Sequence, residues 1–263
     1  MSGVFKDKIV DMKMLREDIF RMTILSEYIS SNAMPGQFVH VKCGDDSEML
    51  LRRPISIAFA DRERKTFDII FQVKGKGTGH LAGKKAGDSI DIMGPLGKPF
   101  DISESNKNIA VVGGGIGIFP LLFLLNEMSK SQRTVSYLGF RSKDLIVLAD
   151  DFSRLCSRLE IATEDGSEGY KGFVTSILEN HLPSENFDMI YTCGPAPMLK
   201  KVSKIAENFG VLCQVSLEQR MGCGIGTCLV CSCKTKVKDK DDWKYSRVCK
   251  DGPVFWSSDI IFD

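Results

Sequence analysis

The sequence predicts a β-barrel joined to an α/β domain, with a small cysteine-rich module at the C-terminus. Three observations predict it. Short alternating apolar runs separated by turn residues fill residues 1 to about 100. Strand-like and helix-like apolar segments then alternate as far as Ser216. After that, Cys223, Cys228 and Cys231 stand in one glycine-rich stretch, with Cys249 beyond a charged insert. The predicted boundaries are 1–101, 102–215 and 216–263, and the length allows three cores.

In the first unit, Phe20, Met22 and Ile24 alternate with Arg21, Thr23 and Leu25. Phe67, Ile69, Phe71 and Val73 alternate with Asp68, Ile70 and Gln72. Phe38 to Val41 and Ser89 to Met93 are shorter runs of strand character. Pro35-Gly36, Gly44-Asp45-Asp46, Gly75 to Gly79, Gly87-Asp88 and Gly94-Pro95 with Gly97 read as turns. Strands of this length and spacing predict a small antiparallel barrel. Two stretches stand out within it, Arg52-Arg53-Pro54-Ile55-Ser56 and Gln72-Val73-Lys74-Gly75-Lys76-Gly77-Thr78-Gly79. An arginine fork grips phosphate, and a glycine turn offers successive N–H groups to an anion. Each stretch alone also describes a solvated hairpin.

In the second unit, Ile109 to Val112 reads as a buried strand, Gly113 to Gly117 as a loop, and Ile118 to Met128 as an apolar helix. Thr134–Phe140, Leu159–Thr163, Met189–Cys193 and Val211–Val215 read as strands, and Phe173–Asn180 and Pro197–Asn208 as helices. Such alternation predicts a parallel sheet. A glycine loop between strand and helix suits a phosphate at a helix N-terminus. It departs from the G-x-G-x-x-G fingerprint, which would need glycine where Ile118 stands, so a plain tight turn remains open.

In the third unit, Cys223, Cys228 and Cys231 are spaced C-x4-C-x2-C, with 17 residues between Cys231 and Cys249. This is the plant-type [2Fe–2S] spacing, in which three thiolates come from one loop and one from afar. A structural zinc site would ask for a second C-x2-C pair, which the chain lacks. Cys233 competes with Cys249 by proximity, because residues two apart in an extended segment point to one side. Lys234 to Lys244 is a run of mixed charge expected to form a solvated hairpin.

Composition narrows the function classes. Net charge is +1, giving no global electrostatic case for nucleic acid or membrane binding. The apolar run Ile109 to Leu125 is broken by glycines and Pro120 and is too short for a membrane span. Nine cysteines without a recognisable signal sequence point to metal or redox work in the cytoplasm. Cys43, Cys156 and Cys213 read as small buried hydrophobes. His40, His80 and His181 fall in no triad or metal pattern and read as structural or solvated. No catalytic base is evident. Arg141, after the second α/β strand, either pairs with a nucleotide 2′-phosphate or faces water.

The order of motifs resembles the ferredoxin–NAD(P) reductase superfamily: Arg53-Pro-Ile-Ser56, Gly75-Lys-Gly-Thr78, Gly94-Pro-Leu-Gly97, Gly113 to Gly117, then Cys193-Gly-Pro195. Met221 to Cys231 and Val248-Cys-Lys-Asp-Gly-Pro-Val254 narrow the resemblance to the electron-transfer subunits of two-subunit, NAD-dependent dihydroorotate dehydrogenases. That resemblance implies an FAD-binding barrel, an NAD-binding α/β domain and a [2Fe–2S] domain. Arg53 and Ser56 would hold FAD, with Pro54, Ile55, Ile70, Phe71 and Gln72 beside them. Ile55 stands where many members carry an aromatic. Gly77 and Thr78 would cap the pyrophosphate. Gly113, Gly114, Gly115, Gly117, Cys193, Gly194 and Pro195 would bind NAD(H), and Cys223, Cys228, Cys231 and Cys249 the cluster.

The implied partner is an FMN-containing catalytic subunit that oxidises dihydroorotate, in a heterotetramer with two copies of each subunit, in pyrimidine biosynthesis. One alternative is the small subunit of a flavin-based NAD(P)H–ferredoxin oxidoreductase or sulfide dehydrogenase. Some of these carry aspartate at the first cluster position, where this chain has Cys223. Another is a zinc-stabilised, non-enzymatic binding module on a degenerate reductase fold.

Overall fold

The computed structural model describes residues 2–44, 49–128 and 130–262. Strands β1 (Gly3–Arg16), β2 (Ile19–Leu25), β3 (Phe38–Lys42), β4 (Arg53–Asp61), β5 (Thr66–Gln72) and β6 (Ser89–Leu96) close a barrel in the order β1-β2-β5-β4-β3-β6. Every neighbouring pair is antiparallel. Met22, Ile24, Phe67, Ile69 and Ile57 point into the barrel and are fully buried. The alternation in β2 and β5 follows from that inward face.

Two stretches differ from their sequence reading. Gly75 to Gly79 is not a free turn: Gly75 precedes a short helix, α2 (Lys76–Ala82). The Thr78 hydroxyl accepts hydrogen bonds from the backbone N–H groups of Lys74 and Gly75 and so fastens the helix start. Gly94-Pro95 lies inside β6, and the chain turns only at Gly97, where φ is +80°. The expected turn at Gly44-Asp45-Asp46 falls partly outside the described residues. Helix α1 (Glu27–Asn32), started by the Ser26 hydroxyl, fills the connection between β2 and β3.

The second unit is a seven-stranded sheet in the order β10-β9-β8-β7-β11-β12-β15. Its strands are β7 (Asn108–Gly114), β8 (Arg133–Phe140), β9 (Arg158–Thr163), β10 (Tyr170–Lys171), β11 (Met189–Cys193), β12 (Leu212–Ser216) and β15 (Val254–Trp256). All pair in parallel except β15, which runs antiparallel to β12 and brings the C-terminal segment back onto the sheet edge. Helices α3 (Phe119–Glu127), α4 (Ala149–Leu155), α5 (Val174–Glu185) and α6 (Ala196–Phe209) cover its faces.

Helix α3 is apolar on every side because it has two cores to fill. Phe123 packs into the barrel core, while Leu121, Leu122 and Leu124 join the sheet core with Ile19, Ala58 and Ile70 from the barrel wall. Ile70 is therefore buried although it faces out of the barrel. The charged insert folds as the expected hairpin, β13 (Ser232–Lys236) against β14 (Trp243–Arg247). Among the described residues, no helix is long and apolar enough to cross a membrane.

Candidate functional site

The sheet order reverses direction at β7, and Gly113 at the end of β7 pairs with Cys193 at the end of β11. In an open α/β sheet, that crevice beyond the strand ends is where ligands sit. Here the barrel closes over it. The result is a cavity of about 1070 Å³ between the two units.

Arg53, Pro54, Ile55 and Ser56 from β4 line that cavity, with Ile70, Phe71 and Gln72 from β5 and Thr78 from α2. Gly114, Gly115 and Gly117 enter from the sheet, as do Cys193, Gly194 and Pro195. Two of the expected residues stand behind the wall. Gly77 is buried next to Arg53, and a Cβ there would lie 3.2 Å from Nε of Arg53. Gly113 is buried inside β7 against Ile118. Gly117 shows why the loop must stay small: an added Cβ would fall 2.5 Å from the Gly194 Cα, a backbone atom that cannot swing away.

A second cavity, of about 890 Å³, opens from the same glycines. Gln72, Lys74, Gly114, Gly115, Ile116 and Pro195 line both, so the two spaces share a wall. Its far side carries Arg141, Glu164, Phe173 to Ser176 and Lys201. No sequence pattern marks Phe173, an exposed aromatic just before α5, as part of this wall, nor Arg16, brought in from the end of β1. The segment Ser216 to Gly222 was also missed. It lines the first cavity and leads into the cysteine loop; the only signal for it is its place in the chain.

The four cysteines form two pairs. The backbone N–H of Cys223 donates to Sγ of Cys228 at 3.3 Å, and that of Cys228 donates back to Sγ of Cys223 at 3.4 Å. Thr227 adds a third N–H, on Sγ of Cys223 at 3.3 Å. Cys249 donates its N–H to Sγ of Cys231 at 3.4 Å. Among the described residues, no three His, Cys, Asp or Glu side chains converge as a site for a single ion. Two thiol pairs wrapped in N–H donors suit a two-iron cluster, in which each iron takes two cysteines.

Comparison with known proteins agrees with this geometry. Residues 218–261 match the iron–sulfur cluster binding domain of dihydroorotate dehydrogenase B, and residues 111–204 match an oxidoreductase NAD-binding domain. A dihydroorotate dehydrogenase B (NAD(+)) electron transfer subunit of Desulforamulus reducens is 40% identical, covering 100% of both chains. One from Fusobacterium nucleatum is 42% identical over 94% of each. The chain belongs to the family of dihydroorotate dehydrogenase B electron transfer subunits.

The chain is also similar to a solved structure. That of the NADH-dependent reduced ferredoxin-NADP oxidoreductase, described for flavin-based electron bifurcation, is 33% identical. It covers 100% of this chain and 92% of its own, with a TM-score of 0.85. A ferredoxin NADP+ reductase from Neisseria gonorrhoeae, solved with FAD and NADP, shares the fold alone at 18% identity and a TM-score of 0.66, over 79% of this chain and 92% of its own.

Electrostatics distinguishes the cysteines of this family member. Burial raises the Cys223 thiol, but N–H groups of Cys228, Ile225 and Thr227 outweigh it and bring it down to about 6. Burial first, and then the Cys231 side chain, push Cys249 up to about 12. Cys233 sits on β13 opposite Ser246; burial, then the neighbouring Cys231, raise it to about 11. Cys193 is raised to about 12 by burial, with the Ser216 hydroxyl opposing, so it is a neutral thiol and a poor nucleophile. Cys43 and Cys213 are buried, as expected, whereas Cys156 is only half-buried.

His40 is 1% exposed. Burial, helped by the Arg52 guanidinium, pushes it down to about 4, against the backbone at Arg52 and Cys223. Those backbone groups lie near the ring, yet among the described residues neither ring nitrogen reaches a hydrogen-bond partner.

Proposed function

We propose that this chain carries electrons between an FMN-containing dihydroorotate dehydrogenase catalytic subunit and NAD(H), using bound FAD and one [2Fe–2S] cluster. The supporting observation is the first cavity, whose wall joins the β4 arginine motif, the β7 glycine loop and the approach to the cysteine loop. Its volume of about 1070 Å³ suits a ligand of dinucleotide size. Bound FAD would exchange electrons two at a time as hydride with the nicotinamide and one at a time with the cluster.

The residues of the chain divide that work. Arg53 would grip the FAD pyrophosphate, and Gly77 leaves its side chain room to do so. Ser56, Pro54 and Ile55, with Ile70, Phe71 and Gln72, form the wall beside the flavin ring. Thr78 fixes the turn of α2 from which that wall continues. Gly114, Gly115 and Gly117, with Cys193, Gly194 and Pro195, would leave room for the nicotinamide end of NAD(H). Gly113 supports them from within β7. Cys223, Cys228, Cys231 and Cys249 hold the cluster. The relatives' name as electron transfer subunits supports assigning dihydroorotate oxidation to the partner.

We place the protein in the cytoplasm, in a heterotetramer with two copies of each subunit, serving pyrimidine synthesis. The likeness to the bifurcating oxidoreductase supports a second reading, as the small subunit of such an enzyme. One assay separates them. The chain alone should reduce artificial acceptors with NADH and leave dihydroorotate untouched, while the complex with its co-purifying partner should couple dihydroorotate to NAD+. A co-purifying partner that reduces ferredoxin and ignores dihydroorotate would decide for the second reading.

A further inference from the structure

Among the described residues, His40 is buried with both ring nitrogens unpartnered. It sits on β3, opposite Pro54 of the flavin-side strand β4 and Met93 of β6. Its ring leaves the barrel toward the cysteine loop. A Cβ added at Gly224 would lie 2.6 Å from Nδ1 and 3.2 Å from both Cε1 and Cγ. Gly224 has φ +72° and is the residue after Cys223. Glycine is needed there twice over, for the left-handed backbone and for the space the imidazole occupies.

The ring is buried, yet among the described residues neither Nδ1 nor Nε2 has a hydrogen-bond partner. Buried polar groups are almost always paired, and an unpaired donor is costly. In either protonation state the imidazole carries an N–H. Backbone groups of Arg52 and Cys223 lie near the ring but outside hydrogen-bond geometry, so a loaded cluster at the cysteine loop would supply the acceptor the ring lacks.

We propose that His40 is a positioning residue for the cluster. It wedges the cysteine loop against the flavin barrel and donates its Nδ1–H to a sulfur of the bound cluster. This rests on the [2Fe–2S] reading of the four cysteines. The hydrogen bond stabilises the extra electron on the reduced cluster and so raises its potential. The same ring couples β4, through Pro54, to the segment carrying Cys223, which ties the flavin site to the cluster mechanically.

The test is pulsed paramagnetic resonance on the whole protein, labelled with [15N]histidine and reduced with dithionite. The chain has three histidines. His80 is exposed on α2, and Nδ1 of His181 is held by Tyr137 and Arg158. One histidine nitrogen should couple to the cluster spin, and His40→Phe should abolish the coupling. In a redox titration His40→Phe should shift the midpoint to more negative potential at two iron per chain, and His40→Gln, which keeps an N–H, should recover part of the shift. A normal cluster signal without histidine coupling overturns the proposal and leaves the cluster reading intact, as does an unshifted midpoint in a fully loaded His40→Phe. Absence of any two-iron signal in the wild type overturns both. If His40→Phe fails to load, the labelled wild type alone decides.

Discussion

Arg53 shows how far single residues could be read. Its motif was visible in the sequence, but its neighbours were not: Gly77 packs against its guanidinium, and Leu51 accepts a hydrogen bond from it. If Arg53 grips a phosphate, Arg53→Ala removes one charge-assisted contact, worth about 1.5–3 kcal/mol. FAD affinity should then fall roughly ten- to a hundredfold, read by flavin retention on dilution. Unchanged retention would place the pyrophosphate elsewhere. His40 marks the opposite limit. Sequence alone reads a lone histidine as structural or solvated, because the loop it meets is remote in the chain. Only tertiary packing brings Gly224 to it.

Elements were legible where their pattern was local. The strands β5 and β11, the apolar α3 and the charged hairpin followed from periodicity. Helix α2 did not, because its glycines read as a turn until Thr78 was seen to fasten its first residues. Strand β1 was missed although it alternates, since its outward face is exposed and its charges hide the pattern.

The hairpin bears on the proposed fourth cluster ligand. It sets Cys233 on β13 opposite Ser246 and returns Cys249 to Cys231, whose Sγ accepts the Cys249 N–H. Cys249→Ser should therefore deplete iron or alter the reduced spectrum, and Cys233→Ser should leave both intact. The reverse pattern would overturn the assignment.

A second element-scale prediction concerns the ends of β8, β9 and α5, where Arg133 and Arg158 both reach Glu185, at 2.6 and 2.7 Å. Burial raises this carboxyl, but the bonds from Arg133 and Arg158 outweigh it and hold it below its ordinary 4.5. A depressed carboxylate stabilises the fold above its unfolded pKa and loses that contribution as pH falls through the folded value. Both arginines are more than a third exposed, so the pairs are worth about 1 kcal/mol. In urea unfolding, Glu185→Gln should cost that much at pH 7, and the difference should shrink below pH 4.5. A difference constant with pH would contradict the clamp.

At the scale of the whole molecule, the sequence named the modules but could not show how they meet. The first cavity exists because α3 fills both cores and fixes the barrel over the sheet crevice. Strand β15 then pins the C-terminal segment to the sheet edge, so the cysteine loop stands at the cavity rim. No local pattern encodes that meeting, because its residues come from every part of the chain. The account's central claim is that FAD mediates between the nicotinamide nucleotide and the cluster. The most direct test is anaerobic addition of NADH to the protein with FAD bound and to the same protein stripped of FAD, followed by paramagnetic resonance. The account predicts a reduced [2Fe–2S] signal with FAD bound and an oxidised, silent cluster without it. Equal reduction of the cluster by NADH in both samples would contradict it.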